Sequence, residues 1–144
     1  MHYYIKVLKN YAVFTGRARR SEYWYFVLFN FIAAVVCMLI DNLLGTTFKI
    51  DLPGETQDFP YGYVYAAYGI AVLLPSLGVS VRRLHDVGKS GWFLLIALIP
   101  VIGAIWLLVL FCTDSHPGVN KYGPNPKGVG NVDEIDEIGS YLAK

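Results

Sequence analysis

Two long stretches of this chain, Tyr63 to Val81 and Trp92 to Cys112, contain no charged side chain. A charged, glycine-broken link joins them: Arg82-Arg83-Leu84-His85-Asp86-Val87-Gly88-Lys89-Ser90-Gly91-Trp92. Apolar segments of that length match the hydrocarbon thickness of a bilayer, so the link reads as the tight turn of a membrane hairpin. A further apolar run, Tyr23 to Leu44, precedes them. Only 16% of the residues are charged, against about 25% in an ordinary soluble domain. The deficit lies in the three runs and is not spread through amphipathic patterns, which favours membrane spans over a large soluble core.

The expected fold is therefore an all-α, polytopic integral membrane protein with three membrane-embedded helices, at about residues 23–44, 61–81 and 92–112. Residues 1–128 form one membrane domain, and the acidic segment 129–144 is expected to be a mobile tail. The third run spans about 31 Å at the helical rise, just enough to cross. Its middle, Ile99-Pro100-Val101-Ile102-Gly103, allows a second course, a re-entrant hairpin that turns there and comes back. One kinked span is favoured, because lipid does not tolerate an exposed turn at depth without protein cover.

Residues 3–14 place Tyr4, Leu8 and Tyr11 on one helical face, with Lys6 and Lys9 towards the other. That pattern suits a short interfacial helix, with packing on protein as the alternative. The segment lacks the basic, apolar and small-residue order of a cleaved leader, so the first span is expected to stay in the mature protein. Three arginines, Arg17, Arg19 and Arg20, then precede an aromatic cluster, Tyr23-Trp24-Tyr25. Arginines flank a span on its cytoplasmic side, and tyrosine and tryptophan sit at headgroup depth. Spacing allows Arg20 to stack on Trp24. Asn30 lies inside the first run and should face another helix, whereas Asp41 lies late enough to reach the opposite interface. Between the spans, Gly45 to Pro60 is rich in turn residues and net acidic, with Lys49 as its single cation. Pro75 should kink the second span. Thr113 to Pro126 is dense in Pro, Gly and Asn and specifies successive turns.

Orientation follows from the basic residues. Lys6, Lys9, Arg17, Arg19 and Arg20 precede the first span, and Arg82, Arg83 and Lys89 lie in the second loop. The N-terminus and that loop are therefore expected in the cytoplasm. A three-span course leaves the tail outside, and a re-entrant course returns it to the cytoplasmic face.

Three motifs occur in order: Phe14-Thr15-Gly16-Arg17-Ala18-Arg19-Arg20-Ser21-Glu22-Tyr23-Trp24, the Arg82–Trp92 link, and Pro117-Gly118-Val119-Asn120-Lys121-Tyr122-Gly123-Pro124-Asn125-Pro126. Together they resemble the YhaH-like family of small bacterial inner-membrane proteins, a domain of unknown function. The likeness covers residues 1 to about 128, and the acidic tail stands outside it. The resemblance implies a multi-pass protein of the bacterial inner membrane and assigns no residue a catalytic role.

Little chemistry is written into the polar residues. Gly88-Lys89-Ser90 ends like a phosphate-binding loop, but Arg83 stands where that motif needs its first glycine, and a membrane helix stands where it needs a strand. His85 and Asp86 are neighbours and point to different sides of a helix, a poor geometry for a proton-transfer dyad. Cys37 and Cys112 both fall in apolar runs and read as small buried hydrophobes, with neither disulfide nor metal spacing. A net charge of +1 gives no footprint for nucleic acid. The expectation is a non-enzymatic accessory or scaffold protein without cofactor or metal. Its cytoplasmic collar of Arg17, Arg19, Arg20, Trp24, Arg82, Arg83, His85, Asp86, Lys89 and Trp92 binds anionic lipid headgroups or a protein partner, a second copy included. Alternatively Asp86 merely pairs with Arg82 or Arg83 one turn back, and the basic residues are topology anchors. The competing class is a component of a small oligomeric transporter or channel, for which Asn30, Ser76 and Pro75 would supply the polar path.

Overall fold

The computed structural model of the chain describes residues 2–53 and 55–131. Two helices dominate it, α2 (Arg20–Leu44) and α3 (Tyr63–Asp86), packed side by side after a short α1 (His2–Lys9). At 1.5 Å per residue they are about 37 and 36 Å long, more than the ~30 Å of a hydrocarbon core. Their most apolar windows have mean hydropathies of 2.2 and 1.8, yet only 6% and 17% of those windows is buried. The core helix of a soluble protein would be mostly covered. These two keep Phe31, Leu39, Ile70 and Leu73 facing outward, as lipid-facing helices do.

The acidic loop is not irregular. It forms a β-hairpin, β1 (Thr47–Leu52) antiparallel to β2 (Glu55–Gly62), with Lys49 opposite Asp58, Ile50 opposite Gln57 and a register irregularity between Thr47 and Lys49. Thr47, Phe48 and Ile50 favour extended backbone, and Pro53 stands at the turn. The all-α expectation is corrected by this sheet. Asp41 ties it to the helices from the end of α2. Its buried carboxylate accepts hydrogen bonds from the Thr46 hydroxyl at 2.6 Å and from the amides of Gly62, Val64 and Tyr65 at 3.0, 3.0 and 2.8 Å. Gly62 is the residue that precedes α3, and Val64 and Tyr65 lie in its first turn, where helical donors lack intrahelical partners, so a side chain of α2 caps α3. Asn30 does face its neighbour and accepts a 2.5 Å hydrogen bond from the Tyr68 hydroxyl.

α3 runs unbroken through Pro75, beside which the Ser76 hydroxyl donates to the Val72 carbonyl at 2.6 Å. It continues to Asp86, so Arg82 to Asp86 form its last turn, and the reversal is confined to the residues before the next helix.

The third apolar run is not one helix. It forms a 3-10 helix, Gly91–Leu98, and then α4, Ile102–Cys112. Between them Val101 has φ 65° and ψ −63°, and the Ile102 amide donates to the Pro100 carbonyl at 2.7 Å, a γ-turn. A β-branched residue at positive φ is strained, and here it reverses the chain. Each limb is about 16 Å long. The limbs pack tightly, since a Cβ on Gly103 would stand 1.7 Å from the Ile96 carbonyl oxygen. Both limbs end beside the same end of the α2–α3 pair. Gly91 abuts Val81, and the Cys112 carbonyl accepts from Arg20 at 3.2 Å. The amides of Ile99, Ile102 and Gly103 all bond within the turn, and Pro100 has none to satisfy.

Two small clusters make the core. Val7, Ala18, Phe26 and Val79 join α1, α2 and α3, and Leu84, Leu107, Leu110 and Phe111 seat α4 on the end of α3. α1 is therefore packed on protein through Val7 while Ile5 stays exposed. The acidic tail expected to be mobile lies, from residue 132 onward, outside the described residues.

Candidate functional site

The three polar motifs meet at one end of the helix pair. From α3, Asp86 points inward with no exposed surface, and the Arg17 Nε donates to its Oδ1 at 2.9 Å. Arg83, one turn back, and Ser115 both donate to Oδ2, the serine at 2.6 Å. Both carboxylate oxygens are thus engaged. Fully buried ions survive only when paired and hydrogen-bonded in this way.

The remaining donors of the two arginines reach main-chain oxygens. Arg17 Nη1 donates to Gly118 at 2.7 Å and more weakly to Gly123 at 3.3 Å, and its Nη2 donates to His116 at 2.5 Å. Arg83 Nε donates to Phe111 at 3.2 Å, Nη1 to Ala18 at 3.3 Å, and Nη2 to Thr113. Arg19 holds the Pro126 carbonyl. The backbone adds the Ala18 amide on the Arg82 carbonyl at 3.0 Å and the His116 amide on the Asp86 carbonyl at 2.9 Å. The Pro-Gly segment after α4 is clasped onto the ends of α2 and α3.

A second ion cluster lies beside α1. Glu22, buried, accepts from Lys6 at 2.7 Å and from Arg82 at 2.8 Å. Arg82 Nε and Nη2 are buried with no protein partner.

The ten residues singled out in the sequence divide by placement. Arg17, Arg82, Arg83 and Asp86 are interior ions, and Asp86 pairs with Arg83 but not with Arg82. His85 is buried, its Nδ1 lies 3.2 Å from the Gly16 carbonyl, and its ring stacks on Tyr122 at 3.7 Å. Arg19 is half-buried on the tail. Arg20, Trp24, Lys89 and Trp92 are exposed, Trp92 by 79%. Trp24 meets the edge of Tyr23 at 5.4 Å, while Arg20 bonds the Cys112 carbonyl and lies 3.6 Å from Asp114. Lys89 Nζ sits 5.7 Å from the Phe93 ring.

Four residues that matter were not singled out. Glu22 stood in the first motif as the lone carboxylate among arginines, a legible sign of an internal partner. Tyr122 and Asn120 stood in the third motif, and Asn120 Nδ2 now donates to the His85 carbonyl at 2.9 Å. Ser115 gave no signal. Among the described residues no group of three His, Cys, Asp or Glu side chains is placed to hold a metal ion.

Two grooves flank this collar. One, of about 410 Å³, is lined by Arg20, Ser21, Trp24, Tyr25, Leu28 and Cys112. The other, of about 470 Å³, opens between α3 and the 3-10 helix.

A family model described as a protein of unknown function, DUF805, matches residues 11–124. The chain is 46% identical over 127 residues to the inner membrane protein YhaH of Escherichia coli strain K12, covering 88% of this chain and 98% of that protein. It is 42% identical over 127 residues to the inner membrane protein YhaI of the same strain, covering 88% of this chain and 97% of that one. No solved structure shows significant similarity.

Proposed function

Because the chain belongs to the DUF805 family, we propose that it is a non-enzymatic accessory or scaffold protein of the bacterial inner membrane, with a cytoplasmic collar that binds anionic lipid. α2 and α3 cross the bilayer, the β-hairpin lies outside, and the third apolar run is re-entrant. The N-terminus, the α3 end and the clasped tail share the cytoplasmic face. One observation carries this reading: residues following the third run bond to arginines that precede the first span and to those that end the second. In that topology every described lysine and arginine except Lys49 is cytoplasmic, in keeping with the bias that orients membrane proteins. The buried ions build the collar, and the exposed Arg20, Trp24, Lys89 and Trp92 face the headgroups. Each basic group near an anionic leaflet contributes about 1 kcal/mol.

The test is lipid recovery. Protein purified in mild detergent should carry more phosphatidylglycerol than the Arg20→Ala/Lys89→Ala variant does. Equal recovery removes the lipid reading. A solute flux in proteoliposomes that depends on the protein and changes with Asn30→Leu favours the transporter class instead.

A further inference from the structure

Resting on the lipid reading above, we infer that the groove between α3 and the 3-10 helix is a site for one anionic phospholipid. Its phosphate lies at the His85 and Ser90 rim, and one acyl chain lies along Leu77 and Val81. The groove shares no lining residue with the one beside Arg20 and Trp24. All three motifs contribute to its walls: Phe14 from the first, His85, Ser90 and Trp92 from the second, and Tyr122 from the third.

The lining is graded along the membrane normal. Leu77, Val81 and His85 are successive fourth residues on one face of α3, about 6 Å apart per step. The path therefore rises from apolar wall to polar rim over roughly 12 Å, the order of a lipid's own acyl-to-phosphate sequence. Leu95 of the 3-10 helix lines the apolar part from the other side. Two exposed lysines adjoin the polar lining, Lys89 next in sequence to Ser90 and Lys121 next to Tyr122. Lys121 Nζ lies 4.9 Å from the Tyr122 ring, and Lys89 Nζ lies over Phe93. Among the described residues no carboxylate lines the groove, and the two lysines stand beside its lining and not in it. The nearby Asp86 has both oxygens committed to Arg17, Arg83 and Ser115. An apolar floor beneath a rim flanked by two lysines fits a lipid anion better than free phosphate, which would leave the floor uncovered.

The site depends on the clasp. Tyr122 forms a wall only because the tail is docked, its ring lying parallel to His85 within 5°. Groove and tail should stand or fall together.

The experiment places the full chain in phosphatidylcholine vesicles containing a trace of photoreactive phosphatidylglycerol with a diazirine in its acyl chain. Adducts are mapped by peptide mass spectrometry. The expected result is enrichment on Leu77 to Leu95 over the same probe built on phosphatidylcholine. Enrichment should fall about fivefold for each of Lys89→Ala and Lys121→Ala, from the contribution of one basic group near an anionic surface. Leu77→Trp, at an exposed position, should block the groove without unfolding the helix. Excess inorganic phosphate at constant ionic strength should leave labelling unchanged, and displacement by it would identify a phosphate site rather than a lipid site. Enrichment confined to the Arg20–Trp24 flank overturns this groove and keeps the lipid-binding collar. Labelling that ignores lipid charge everywhere overturns both.

Discussion

Arg17 and Asp86 are 69 residues apart in the chain and 2.9 Å apart in space, with 1% and 0% of their side chains exposed. This pair closes the loop from the start of α2 to the end of α3, and Arg17 then reaches the tail. Replacing Asp86 by Asn leaves two guanidinium groups buried without a counter-ion. Breaking such a pair costs about 3–5 kcal/mol. Thermal unfolding in mild detergent should show the loss. Limited proteolysis should cut residues 113–131 first, and an unchanged cleavage pattern would separate the tail from the ion pair.

Glu22 and Arg82 make the second cluster, and there the balance differs because two Arg82 donors lack protein partners. Glu22→Gln should destabilise the fold by about 3 kcal/mol or more, since Arg82 and Lys6 lose the carboxylate that pairs with both. The double variant Glu22→Leu/Arg82→Met should regain most of that loss, as buried ion pairs replaced by apolar groups often do. A double variant no better than Glu22→Gln alone would mean that the orphaned donors carry no penalty.

The re-entrant course predicts a labelling pattern. In a Cys37→Ala/Cys112→Ala background, Ser90→Cys and Lys121→Cys should both be protected in intact cells from an impermeant thiol reagent, and Lys49→Cys should label. Labelling of Lys121→Cys without permeabilisation would put the tail outside and make the third run a crossing. Gly103→Val, forced against the Ile96 carbonyl, should spread the two limbs and lower the unfolding temperature.

Asp114 supplies a pH signature. The hydrogen bond from Lys127 holds its carboxyl below the ordinary value of 3.8, with the Ser115 amide adding to the effect. A lowered folded value means that the contribution is in place above pH 3.8 and is lost as pH falls through the folded value. An NMR titration of the Asp114 carboxyl should give a midpoint below 3.8 that moves up towards it in Lys127→Ala. No movement would remove Lys127 as the cause. The group is exposed, so added salt should act in the same direction as the mutation.

How much of this was legible depends on the range of the interaction. The long helices α2 and α3 follow from their long apolar runs, and Asn30 finding Tyr68 follows from the cost of a lone amide among apolar side chains. The β-hairpin was obscured because Pro53, Asp51 and Glu55 made the loop look like turns throughout, although Thr47, Phe48 and Ile50 carried the strand signal. The break in the third run was visible at Pro100 but not decidable, since it rests on amides satisfied within a γ-turn. Lowest of all in legibility was the arginine cluster. Charge patterning marks where arginines lie and is silent on whether their partners are lipid phosphates or carbonyls of their own chain.

Arg17 and Arg19 hold the tail through main-chain oxygens of His116, Gly118, Gly123 and Pro126, beside the side-chain contacts of Ser115, Asn120 and Tyr122. A carbonyl is the same in every residue, so Arg17 and Arg19 read the curvature of this segment and not its lettering. Exposed positions such as Val119 and Val129 are free to drift across generations. Gly118 and Gly123, at φ 70° and 125°, set the path that aims the oxygens and are not free. Relatives that dock the same way would then be recognised by the spacing of their bends and by the side chains at Asn120 and Tyr122, even where the exposed residues between have diverged.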